Sequence, residues 1–302
     1  MAAETLPGDL LAARQKRAAL LFMLPAMILL VAVYAAPLGY ALKASFTGWL
    51  LTRPATANIF VGLDNYTELL SSPEMWSAIR VTLIYAVAAV SLGLVFGTLL
   101  ALMLDADFYA RSFFRSIMII PMVITPSVIG IFWKLLYEED SGVFNAVLQA
   151  VGLWKVAWLN LDMALPAIII MDVWQTTPFF MLIMLAGLQA IDRNTVEAAR
   201  VDGATSLQLF RYVMLPHLVP YMLIATSFRT IAAMGDFDKI WLLTSGGPGN
   251  RTTTVTIFAY KNGFSAFDIG RTTAIAWILV AIVLTASAPL LVRLFRSAVE
   301  ER

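Results

Sequence analysis

Two apolar stretches of the sequence carry polar side chains at helical spacing. Asp172, Gln175, Thr176 and Phe179 recur at i, i+3, i+4 and i+7, which puts them on one face of a helix. Arg229, Ala233 and Asp236 repeat the pattern at i, i+4 and i+7, with Ser227 and Thr230 alongside. Charges inside apolar segments are costly and mark pathways or binding sites, so the two faces are candidates for framing one cavity. At ~1.5 Å of rise per residue, Thr176 and Arg229 lie at similar depths in their segments. An ion pair of Arg229 with Asp172 or Asp236 that only holds a bundle together satisfies the same spacing.

Reaction chemistry is otherwise absent. No Gly-Lys dipeptide occurs, which excludes the phosphate-cradling loop of ATPases. The single histidine, His217, excludes multi-histidine zinc sites, and the absence of cysteine excludes thiolate metal centres, disulfides and cysteine nucleophiles. No G-x-S-x-G turn supports a serine nucleophile. The chain is therefore expected to have no catalytic residue, no metal site and no cofactor of its own. A net charge of +1 gives no reason to expect nucleic acid.

The elements that position these residues follow from composition. Of 302 residues, 60% are hydrophobic and only 14% charged, far from soluble proportions. Segments of about 20 apolar residues are long enough to cross a hydrocarbon core. They run Ala18–Leu42, Ala78–Leu104, Phe113–Leu136, Ala164–Leu188, Val219–Leu243 and Thr272–Leu294. The expectation is an all-α polytopic bundle of six transmembrane helices, because lipid-facing backbone must pair within its own segment. The first segment is too long for a signal-peptide core and reads as a retained helix. Arg14, Lys16 and Arg17 mark both ends of the chain as cytoplasmic by the positive-inside rule, supported by Arg111, Arg115, Arg293 and Arg296. Lys239 is assigned with Lys43, Arg53 and Lys261 to the outer side. Residues 1–17 and 297–302 are expected to be cytoplasmic tails, with one transmembrane domain over 18–296. No internal duplication or low-complexity tract is evident.

The connection Gln189–Leu218 is too long for a simple turn. Thr195 is placed to cap a short helix through Arg200, Gly203 to stop it, and Ser206 to start a second helix that Pro216 closes. Such a pair makes a compact knob, on which the small side chains of Ala198 and Ala199 permit close approach by another protein.

Glu197-Ala198-Ala199, followed by Gly203, Val213 and Leu215-Pro216, resembles the EAA signature of inner-membrane permeases in bacterial binding-protein-dependent ABC importers. Only the usual isoleucine differs, as Val213. Gly62 to Tyr66, Pro121, Pro126, Gly142 to Asn145, and Thr244 to Pro248 extend the resemblance over about 18–296. With Tyr260, Phe264 and Gly270, it is similar to the sugar-importing branch and the maltose-type first permease, though no extra amino-terminal spans or large outer insert are expected.

The resemblance implies a bacterial inner-membrane subunit working with a second related permease. Two ATPase subunits would hold ATP and Mg, and an extracytoplasmic sugar-binding protein would deliver a sugar or oligosaccharide. Glu197, Ala198, Ala199, Asp202, Gly203, Phe210, Leu215 and Pro216 would form the coupling element docked on one ATPase. The substrate path would include Thr125, Ser127, Asp172, Trp174, Gln175, Thr176, Phe179, Arg229, Ala233 and Asp236. An ion-coupled secondary transporter subunit is the alternative, but it would leave the knob without a purpose.

Overall fold

The computed structural model describes residues 8–300, which among themselves form helices joined by turns, with isolated bridges but no strand. In chain order the helices are α1 (Gly8–Leu30), α2 (Ala36–Ser45), α3 (Asp64–Ser71), α4 (Pro73–Asp105), α5 (Arg111–Val123), α6 (Pro126–Leu136) and α7 (Val143–Ala150). They continue with α8 (Ala164–Gln189), α9 (Arg193–Val201), α10 (Ser206–Leu209), α11 (Leu215–Gly235), α12 (Asp238–Thr244), α13 (Val255–Tyr260) and α14 (Ile269–Glu300).

The expected tails are largely helical: α1 begins at Gly8 and α14 runs to Glu300. Residues 1–7 and 301–302 lie outside the described residues. Among the described residues, five helical runs are long and apolar enough to cross a membrane, and the bent pair α5–α6 makes up to six. The first is Ala19–Ser45, in which a π-helical turn, Val31–Ala35, joins α1 to α2.

Two expected spans are corrected by their prolines and by a helix break. Phe113–Leu136 is not one rod: α5 and α6 meet at 96°, with Ile124 and Thr125 extended before Pro126. Proline disfavours helical backbone in the residue before it, so α5 stops and Pro126 opens a new helix. The fifth span runs Ser206–Gly235 instead of Val219–Leu243. Pro216 does not close the second knob helix; a π-helical turn over Phe210–Met214 carries the chain through it into α11. The wider turn makes room where a proline ring would otherwise strike the carbonyl four residues back. Pro37 follows the first π turn in the same way.

Helix α8 is the axis of the molecule. The most apolar stretch of α8 is 61% buried inside the chain, against none for the first span. It packs along α4, where Gly93 and Gly97 admit it: a Cβ on Gly93 would stand 2.7 Å from the Phe180 ring, and one on Gly97 would stand 2.8 Å from Met181 N. Small residues four apart allow such contact between membrane helices. Tyr85, Phe180, Met181, Met184 and Leu218 fill the resulting core with side chains that are fully buried. Short helix α12 crosses α6 at Gly130, whose added Cβ would lie 2.8 Å from the Lys239 carbonyl.

Beyond the bundle, the segments 46–72 and 245–268 fold against each other at one end, where Leu51 N donates to the Phe267 carbonyl at 2.8 Å. Asn65 Nδ2 donates to the Ser45 and Thr47 carbonyls nearby. This loop end and the knob end of residues 189–214 are separated by the helical bundle.

Candidate functional site

Asp172 sits about two turns into α8, and its side chain is fully buried. Its Oδ1 accepts a bond from Arg229 Nη2 of α11 at 2.6 Å and another from Lys239 Nζ of α12. Asp236, in the break between α11 and α12, pairs through Oδ2 with the same Arg229 Nη2 at 3.0 Å and with Lys239 Nζ at 3.1 Å. The Tyr85 hydroxyl of α4 donates to Asp236 Oδ2 at 2.6 Å. Two acids and two bases from three helices thus share one cluster of zero net charge, tied by Tyr85 to a fourth.

A buried charge is tolerated only when paired, and removing one member leaves its partners uncompensated. The backbone break at Gly235–Phe237 brings Asp236 back against Arg229, because the chain leaves helical geometry at Asp236. Gln175 Oε1 accepts from Lys239 Nζ at 3.3 Å, while its Nε2 donates to the Ile124 carbonyl at 3.4 Å, on the break between α5 and α6. Both interruptions of helix therefore meet polar side chains, as nonhelical backbone at membrane depth requires. Asp172 Oδ2 and Arg229 Nε remain buried without a hydrogen-bond partner.

Above the cluster opens a cleft of about 370 Å³ lined by Met122, Pro126, Gln175, Thr176, Phe179, Phe228, Arg229, Ala232, Asp236 and Lys239. Of the expected path residues, Gln175, Thr176, Phe179, Arg229 and Asp236 line it, and Asp172 anchors its floor. Thr176 Oγ1 is turned to the Asp172 carbonyl at 2.9 Å. Thr125 and Ser127 flank the lining residue Pro126 without lining the cleft themselves.

Two expected placements are corrected. Ala233 is 1% exposed and packed in the core, and Ala232 faces the cleft instead, three residues after Arg229 on the same helix. Trp174 points from α8 towards a separate apolar cavity beside α5 and packs against Trp133, with ring centroids 5.5 Å apart and planes inclined by 57°. It is one residue, about 100° around the helix, from the Gln175 face.

Sequence reasoning missed Lys239 and Tyr85. Lys239 had a signal: it falls three residues after Asp236 inside an apolar window, but counting it with the outer cations removed it from the site. Tyr85 had none, since a tyrosine in an apolar span is as compatible with an interface position.

The knob is built from helix ends. Asp192, not Thr195, caps α9, its Oδ1 accepting from Asn194 N at 3.0 Å; the carboxylate takes the first free amides before the threonine is reached. The other end closes as a Schellman turn: Ala204 N donates to the Ala199 carbonyl at 3.0 Å and Gly203 N to that of Arg200 at 3.1 Å. Gly203 takes φ +82°, with open space where a Cβ would go, so the requirement for glycine is purely conformational.

Thr205 and Gln208 then form a capping box at the start of α10. Val196 packs inward, whereas Glu197, Ala198 and Asp202 are exposed and Ala199 half-buried. Phe210 and Leu215 are half-buried and Pro216 is exposed along the π turn and the start of α11. Glu197 borders a cleft of about 810 Å³ together with Arg111, Arg115, Arg193 and Arg200.

Helices long and apolar enough to cross a membrane thus carry a charge-balanced cleft between them and a capped knob at one end. Residues 93–301 match the family described as "Binding-protein-dependent transport system inner membrane component", and the chain belongs to that family. It is 57% identical to the probable ABC transporter permease protein y4oQ of Sinorhizobium fredii over 300 residues, 98% of this chain and 97% of that one. It is 39% identical to the trehalose/maltose transport system permease protein MalF of Thermococcus litoralis, over 75% of this chain and 77% of that one. Among solved structures, its fold matches a bacterial ABC transporter involved in importing the acidic polysaccharide alginate. That match has a TM-score of 0.81 at 23% identity and covers 95% of this chain and 98% of the other.

Proposed function

We propose that this chain is the sugar-importing permease of an ATP-driven system, pairing with a second permease to enclose a path that begins at the loop end and passes the Asp172 cleft. The observation that carries the reading is the cluster itself, placed on the most enclosed span of a family member and lined by amide, hydroxyl and aromatic groups. Sugars are bound by such mixtures of hydrogen-bonding groups and ring faces. Each acid is matched by a base, so the cleft suits a neutral sugar better than an acidic one. The trehalose/maltose relative supports this direction.

The knob end faces the cytoplasm in this reading, with both chain termini on that side of a bacterial inner membrane. Glu197, Ala198, Ala199 and Asp202 on α9 would dock against one of two separate ATPase subunits, which would hold ATP and Mg. Gly203, Phe210, Leu215 and Pro216 fix the angle at which α9 leaves the bundle. An extracytoplasmic binding protein would deliver the sugar at the opposite end.

Affinity purification of the tagged full chain from its native membrane tests the assembly. Two ATPase copies and a second permease are expected to copurify, and reconstituted vesicles should take up trehalose or maltose only with ATP and the binding protein. A pure homo-oligomer driving uptake from an ion gradient would overturn the reading.

A further inference from the structure

The two acids of the cluster meet their partners through one oxygen each and differ in what the other oxygen faces. At Asp172, Oδ1 accepts from Arg229 and Lys239, while Oδ2 is buried without a partner and the residue does not line the cleft. At Asp236, three donors converge on Oδ2. They are the Tyr85 hydroxyl at 2.6 Å, Arg229 Nη2 at 3.0 Å and Lys239 Nζ at 3.1 Å, one each from α4, α11 and α12. Asp236 Oδ1 accepts no bond from the described residues and is not enclosed, since this side chain is 20% exposed and lines the cleft.

Tyr85 adds no charge to this arrangement. Arg229 and Lys239 already balance the two acids, so neutrality does not require the phenol. What it adds is direction: a short bond to a charged oxygen, made by a fully buried ring on a helix that lies close along α8. A carboxylate facing two cations alone could divide its oxygens between them. The third bond, arriving from α4, keeps Asp236 turned so that both cations share Oδ2 and Oδ1 faces the cleft.

Other oxygens around the cleft are engaged. Gln175 Oε1 accepts from Lys239 Nζ, and Thr176 Oγ1 directs its proton to the Asp172 carbonyl. Asp236 Oδ1 is thus the charged acceptor left open to a ligand, and an anionic acceptor binds a hydroxyl donor while repelling a carboxylate or phosphate. We propose that Tyr85 is a positioning residue for the sugar site, holding Asp236 so that Oδ1 accepts a hydrogen bond from a hydroxyl of the passing sugar. This deepens the sugar-permease reading above and rests on it.

The test uses proteoliposomes holding the full chain with its second permease and ATPases, supplied with binding protein and either trehalose or each of its monodeoxy analogues. Sugar uptake and ATP hydrolysis are measured in the same samples. The unsubstituted complex is expected to move at least one analogue less efficiently per ATP than trehalose. Tyr85→Phe should lower trehalose moved per ATP about tenfold, the scale of one hydrogen bond to a charged group, and should carry that analogue and trehalose nearly alike. The binding protein is the same in both samples, so a change in the trehalose-to-analogue ratio belongs to this chain, and a merely structural role for the hydroxyl would slow every sugar equally. A ratio unchanged by Tyr85→Phe, or no analogue disfavoured by the unsubstituted complex, overturns the assignment while leaving the sugar reading intact. Failure of the Tyr85→Phe chain to assemble with its partners also overturns it, assigning the hydroxyl to the fold. An unsubstituted complex that hydrolyses ATP but carries neither trehalose nor maltose overturns the neutral-sugar reading, and the role of Tyr85 with it.

Discussion

The Asp172 cluster and the Glu197 knob use charge under opposite conditions. At Asp172 every charged group is paired within the chain, since an isolated charge in the span costs at least ~2.5–3.5 kcal/mol. Glu197 is exposed and has no ion-pair partner among the described residues, although Arg111, Arg115, Arg193 and Arg200 border the same open cleft. Solvent screens it, so leaving it unpaired costs little and keeps it available to another protein. One region is completed by its own fold; the other is a surface whose shape is set by backbone caps. Stability should therefore respond to the cluster, and coupling to the knob.

The sharpest break in that comparison is Asp172→Ala. It leaves Arg229 and Lys239 with only Asp236, and a loss of about 3–5 kcal/mol is expected, read as a fall in the thermal midpoint of detergent-extracted protein. The double variant Asp172→Asn with Lys239→Met removes one charge of each sign and should regain much of that loss. If the single change leaves the midpoint unmoved, the cluster is not what holds α8, α11 and α12 together.

Gly203→Val comes next. A β-branched side chain at φ +82° costs about 1–2 kcal/mol, and the Schellman turn is expected to open. The complex should then hydrolyse ATP without importing, or assemble in reduced amount; normal uptake would separate the turn from coupling.

Asp192→Ala removes the α9 cap and should cost about 1 kcal/mol, seen as faster amide exchange in residues 193–197. Thr195→Ala should change exchange there far less, which distinguishes the observed cap from the residue that spacing alone favours. Glu197→Lys is expected to shift stability by under about 0.5 kcal/mol, as an exposed substitution does, yet to abolish stimulation of ATP hydrolysis by the binding protein. Normal stimulation in that variant would remove Glu197 from the docking surface.

The sequence carried the class of the molecule a long way. Apolar length and the shortage of charge determined an all-helical bundle with up to six crossings, because a hydrocarbon environment leaves the backbone few alternatives. The helix-terminating glycine was legible at Gly203, since few other residues accept that backbone. Asp172 and Arg229 were legible as partners, because charges in apolar runs need each other.

Only the tertiary structure decided which groups actually meet. Lys239 joins the cluster because α11 stops at Gly235 and α12 restarts at Asp238, a change of direction that linear spacing does not record. The rotation of α11 against its neighbours puts Ala233 in the core and Ala232 at the cleft. Tyr85 reaches Asp236 because Gly93 and Gly97 let α4 lie close along α8, and Gln175 finds the Ile124 carbonyl because α5 ends before Pro126. Periodicity assigns a residue to a face of its own helix. Which neighbour that face meets depends on where helices break and how closely they approach, and both are settled by contacts between residues far apart in the chain.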